Sequence, residues 1–107
     1  MDICDVGSAK LACQIFGAGE RTFVIDTALG TCSAEWWHIA ELLGKNSRIL
    51  VYDRAGYGQS SVSTLERTPG NIASELKKLL DFLHIEKNVI LIGHSQGGLY
   101  AVQFAVM

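Results

Sequence analysis

A chain of 107 residues, 49% apolar and 19% charged with a formal charge of −2, has room for one domain with a modest core and matches ordinary globular usage, which argues against disorder. Its lysines and arginines are scattered from Lys10 to Lys87 without a cluster, which argues against nucleic acid as a partner. The start, MDICDVGSAK, has acids in place of a basic leader region, and no apolar run is long enough to cross a bilayer, so a soluble, cytoplasmic protein with no membrane partner is expected.

In chain order, residues 2–6 and 10–16 are short β-type runs around Gly7-Ser8 and predict a hairpin, followed by the turn Gly17-Ala18-Gly19. Cys4, Cys13 and Cys32 form no Cys-x-x-Cys pair and have no histidine at metal-ligand spacing, so buried thiols are expected, with no disulfide framework, metal or cofactor. TFVID at 22–26 is a compact β-branched run of the kind buried in a parallel sheet. Residues 33–44 predict a helix: Ser33 can cap it, Trp36, Ile39, Ala40 and Leu43 recur at helical spacing, and Gly44 stops it. RILVYD at 48–53 is a second buried strand. Residues 68–85 open with Thr68-Pro69, a cap and first-turn pair, and place Ile72, Leu76, Leu79, Leu80 and Leu83 on one stripe. NVILIG at 88–93 is a third buried strand, and 96–107 a final helix.

A hairpin followed by β-α-β-α-β-α is the pattern of a three-layer, doubly wound α/β sheet built by right-handed crossovers. Ligands in such sheets bind beyond the carboxyl ends of the strands, an edge that here carries the loops 27–32, 54–63 and 94–97. The third loop reads Gly93-His94-Ser95-Gln96-Gly97. A serine on a sharp strand-to-helix turn has its hydroxyl lifted clear of the sheet, and glycines two positions either side let strand and helix pass closely. The Gln96 N–H, in the first turn of the helix, then points at the atom the serine attacks. Strand before and helix after distinguish this arrangement from a serine among glycines on an all-β protease scaffold, and Gly98 stands where an acyltransferase motif carries an acid.

With these residues in view the chain resembles the α/β-hydrolase fold superfamily over nearly its whole length. VYDRAGYGQS at 51–60 is similar to the family's D-R-x-G-x-G-x-S segment, and LIGHSQGG at 91–98 to its nucleophile elbow. The resemblance implies an incomplete α/β-hydrolase core over 1–107, with Ser95 as nucleophile, the Gln96 N–H as one oxyanion donor and the Leu29 N–H as the other. Thr27 and Ala28 depart from the family's His-Gly pattern at that second donor. Asp53 is expected to tie down its own glycine-rich loop, with Gly56 and Gly58 as turn residues. Trp36 and Trp37 are expected to cover the sheet. His38 and His84 are expected on a helix flank and at a helix end, and His94 beside the nucleophile projects away from it.

The family's triad runs Ser, then Asp or Glu, then His, and no acid or histidine follows Ser95 here. The expectation is therefore the amino-terminal half of a serine hydrolase of small esters or amides, working through an acyl-enzyme and inactive alone because an unassisted serine hydroxyl is a weak nucleophile. Its substrate would be a small acyl compound. The alternative is a non-catalytic half-domain that binds a complementary chain, or itself, through the open sheet edge of the strand before Ser95.

Overall fold

The computed structural model describes residues 2–26, 36–93 and 103–105. Five strands, β1 (Asp2–Asp5), β2 (Lys10–Phe16), β3 (Thr22–Asp26), β4 (Arg48–Tyr52) and β5 (Val89–Gly93), form one sheet in the order β1-β2-β4-β3-β5. The hairpin β1–β2 is antiparallel, and β2 also meets β4 antiparallel, while β3 runs parallel to both β4 and β5. The sheet is thus mixed, with its parallel part built from the three apolar runs expected to form it.

Side-chain alternation divides the core into two layers. Val24, Leu50, Tyr52 and Leu91 turn to one face with Leu11 and Cys13 of the hairpin, while Phe23, Ile25, Ile49, Val51 and Ile92 turn to the other. Helix α2 (Pro69–Phe82) covers the first face through Leu76, Leu79 and Leu80; helix α1 (Trp37–Leu43) covers the second through Ala40, with Trp36 beside it. Each fully buried aliphatic side chain in these layers stabilises the fold by roughly 1.5–3 kcal/mol, and the two covered faces make three layers.

α2 begins as its sequence dictates: the Thr68 hydroxyl oxygen accepts from the Asn71 N–H at 3.1 Å, and Pro69 sits in the first turn. It ends at Phe82, short of the expected 85, because His84 takes a left-handed φ of 58° and the Ile85 N–H returns to the Leu80 carbonyl at 2.9 Å. The short α1 differs more from expectation. Ile39 and Leu43, read as packing residues, are exposed, and only Ala40 is buried. Ala40 alone meets the sheet, and Ile39, one residue before it, and Leu43, near the end of the helix, stand clear. Ser33, the expected cap, lies outside the described residues.

β5 also departs from a strand buried on both faces. Among the described residues it has one neighbour, β3, and Ile90 is 40% exposed. Of the last helix, residues 103–105 are helical, and Phe104 packs against the α2 layer. Gly17 closes the end of the sheet opposite the carboxyl ends of β3 and β4: at φ 70° a side chain there would collide with the Gly44 and Ser47 carbonyls. No helix among the described residues is long and apolar enough to cross a membrane.

Candidate active site

The carboxyl ends of β4, β3 and β5 lie on one edge of the sheet because all three run parallel. Register is what aligns them. Asp26, the last residue of β3, pairs with Gly93, the last of β5. The segment leading to Leu29 and the segment leading to Ser95 therefore leave from neighbouring strand ends that finish level, about 4.8 Å apart. Gly93 is described as the end of β5; Leu29, His94, Ser95, Gln96 and Gly97 lie outside the described residues.

The third loop on this edge, after β4, is described in full. Asp53 is buried and its Oδ2 accepts from the Gln59 N–H at 3.1 Å. Gly58, at φ 53°, passes so close that an added Cβ would overlap the Asp53 carboxylate. The Ser60 hydroxyl donates to the Asp53 carbonyl at 2.5 Å and accepts from the Ala12 N–H at 2.8 Å, while the Ser61 hydroxyl accepts from the Lys10 N–H at 2.8 Å. Asp53 thus ties the loop to itself, the structural role expected of it, and Ser60 and Ser61 bind the loop to β2. Arg54, 3% exposed, lies over the Tyr57 ring at 5.2 Å, and a groove of about 490 Å³ runs between this loop and the start of α2, lined in part by Tyr57, Leu65 and Ile72.

A second tie holds the far part of this loop, one the sequence reading missed. Glu75 on α2 is 2% exposed and accepts from Ser8 Oγ at 2.5 Å, Ser63 Oγ at 2.6 Å and the Arg67 guanidinium at 2.8 Å. Burial alone would raise its carboxyl, but the hydrogen bonds from Ser63, Ser8 and Arg67, with the Arg67 charge, outweigh it and hold the pKa below its usual value. The signal was available: Glu75 falls between Ile72, Leu76 and Leu79 on the apolar stripe of α2, where a carboxylate needs partners.

The described histidines stand away from the strand ends that lead to Ser95. His84 follows α2 and lines a shallow depression with Gly19, Glu20 and Asn88, at the edge where β5 begins. That is about 16 Å along the strand from Gly93. His38 is exposed on α1. Trp36 packs on the β3–β4 face as expected, whereas Trp37 is 37% exposed. Among the described residues no three His, Cys, Asp or Glu side chains gather as a metal-ligand set.

This topology and its motifs coincide with known proteins. The family model for the alpha/beta hydrolase fold matches residues 21–107. A protein of Pseudomonas syringae pv. syringae, provisionally named the carbamate hydrolase RutD, is 35% identical over 97 residues, covering 90% of this chain and 36% of its own length. The enol-lactonase from Burkholderia xenovorans LB400 superposes with a TM-score of 0.89 at 28% identity, covering 97% of this chain and 41% of that one. A hydrolase from Pseudomonas aeruginosa PA01 superposes with a TM-score of 0.77 at 30% identity, covering 86% and 35%. The chain therefore spans well under half the length of these relatives. With a matching family model over most of its residues and a close superposition on a solved relative, the chain belongs to the alpha/beta hydrolase fold family.

Proposed function

We propose that the chain carries the nucleophile half of a serine hydrolase that cleaves small esters or amides through an acyl-enzyme at Ser95. The observation that carries this reading is the level ending of β3 and β5, Asp26 opposite Gly93, beneath the Gly-His-Ser-Gln-Gly sequence. Chain connectivity keeps Ser95 within about 7 Å of Gly93 and Leu29 within about 11 Å of Asp26. A nucleophile and two backbone donors are thereby tethered to one pair of neighbouring strand ends. The Ser95 oxygen attacks the substrate carbonyl carbon, the Gln96 and Leu29 N–H groups receive the developing oxyanion, and the leaving group departs to give the acyl-enzyme, which water then hydrolyses. The enol-lactonase and the carbamate hydrolase among the similar proteins are named for substrates with a carbonyl bonded to a heteroatom, which supports the acyl class.

The general base is the part supplied from elsewhere. His84 is at the wrong edge, His38 is on an exposed helix face, and His94, next to Ser95 in sequence, is expected to project away from it, so the Ser95 proton is taken by a histidine, oriented by an acid, from outside these 107 residues. A second reading follows from β5 forming the outer strand among the described residues: a complementary chain docks there and brings both groups. A fluorophosphonate probe tests the assignment. The protein from its native cells gains one probe on the peptide containing Ser95, and Ser95→Ala abolishes the label. If labelling appears only when a second chain co-purifies, the second reading holds; if neither preparation is labelled at Ser95, the nucleophile assignment is wrong.

A further inference from the structure

Cys4 and Cys13 face each other inside the amino-terminal hairpin. In the β1–β2 register Cys4 stands opposite Leu11 and Cys13 opposite Asp2, so the two cysteines lie diagonally on the same face, with the Ile3–Ala12 pair between their rows, and that face is covered by α2. Their sulfurs are 3.8 Å apart. Both are free thiols, 2% and 0% exposed, and acyl transfer at Ser95 uses neither.

We propose that Cys4 and Cys13 form an oxidation site, closed to a disulfide by a two-electron oxidant of the peroxide class, which fastens the outer strand β1 to β2. A disulfide needs an S–S separation of about 2.05 Å, and a diagonal cross-strand pair has its Cα atoms roughly 7–8 Å apart, so closure also asks β1 to shift on β2. Access is the gate. Burial, with the neighbouring Cys4, pushes the Cys13 thiol up to about 12, so the packed hairpin keeps Cys13 as a thiol. β1 has four residues, three of them exposed, and one neighbouring strand, which makes it a strand that can lift by local opening.

When β1 lifts, the Cys4 thiolate attacks one peroxide oxygen. The O–O bond breaks, leaving Cys4 as a sulfenic acid and releasing hydroxide, which takes the proton Cys4 gave up to become water. When β1 returns, the Cys13 sulfur attacks the Cys4 sulfur, the S–O bond breaks, and hydroxide departs with the Cys13 proton as a second water. Two thiols and one peroxide become one disulfide and two waters.

Trypsin makes the result readable because it cuts after Lys10 and Arg21, which puts Cys4 and Cys13 on different peptides and Cys32 on a third. The native chain is treated with hydrogen peroxide, alkylated in denaturant and digested without reductant. The expected result is a linked pair of peptides 1–10 and 11–21, an intact chain two hydrogens lighter, and an unfolding midpoint that rises on oxidation and returns with dithiothreitol. Cys4→Ser should leave Cys13 fully alkylated and the midpoint unmoved by peroxide. The proposal is overturned if both cysteines remain alkylated after peroxide, if either is linked to Cys32, or if the 1–10 to 11–21 pair forms only when peroxide is added in urea.

Discussion

Removing the Glu75 carboxylate tests how the loop after β4 is held. In Glu75→Ala, the Ser8 and Ser63 hydroxyls lose their charged acceptor, and two hydrogen bonds to a charged group contribute about 3 kcal/mol together. The Arg67 pair adds little, because Arg67 is 37% exposed and turns to water when its partner goes. For a domain of this length about 1 kcal/mol shifts the melting temperature by roughly 4 °C, so a fall of ~12 °C is expected by circular dichroism at pH 7. Glu75→Gln keeps an acceptor oxygen and should lose about half as much. The pH dependence follows from the direction of the shift. Glu75 is held below its ordinary 4.5 in the folded state, so its ionised form stabilises the fold above 4.5, and that contribution drains away as pH falls through the lower folded value. The gap between wild type and Glu75→Gln should therefore narrow below pH 4.5. A change in melting temperature under about 2 °C for Glu75→Ala, or a wild-type to Gln gap unchanged at pH 3, would refute the network as described.

Three further outcomes are expected. Gly58→Ala drives a methyl group into the buried Asp53 carboxylate at a left-handed φ; it should lower stability by about 3 kcal/mol in a urea melt, and a neutral result would mean the loop re-forms without that contact. His84→Gly relieves the left-handed strain after α2 and should raise stability by about 1 kcal/mol, whereas His84→Ala should give no such gain. Asp53→Ala should weaken folding while Ser95 in the folded fraction still takes the fluorophosphonate probe; loss of labelling from well-folded Asp53→Ala protein would instead make Asp53 part of the chemistry.

The elements that could be read ahead of the structure are those whose local signals agree with their surroundings. Thr68-Pro69 opens α2 because a hydroxyl acceptor and a fixed φ do the same thing in any context. TFVID and RILVY are strands because β-branched and apolar side chains on both faces find both faces covered. Ile39 and Leu43 were misjudged for the converse reason: helical spacing marks an apolar stripe, but it does not settle how much of the stripe meets the sheet, and here Ala40 alone does. Asp53 was legible through the glycines that follow it. Glu75 was legible only as a carboxylate on an apolar stripe in need of partners; the partners themselves, Ser8, Ser63 and Arg67, come from a hairpin turn and a loop whose meeting no local pattern encodes. For the nucleophile segment, the sequence motif carries the residue assignments and the described structure supplies the neighbouring strand ends.

The pairing of β3 with β5 ties the proposed chemistry to the order in which the chain assembles. β5 adds to β3 across a long stretch of intervening sequence, so its docking bears a loop-closure cost that the local hairpin β1–β2 does not. The neighbouring strand ends come into being only with that late, long-range event. A nascent or partly unfolded chain can thus hold most of its sheet without the paired ends of β3 and β5, and detachment of β5 alone would part those two strand ends while the remaining strands stay joined.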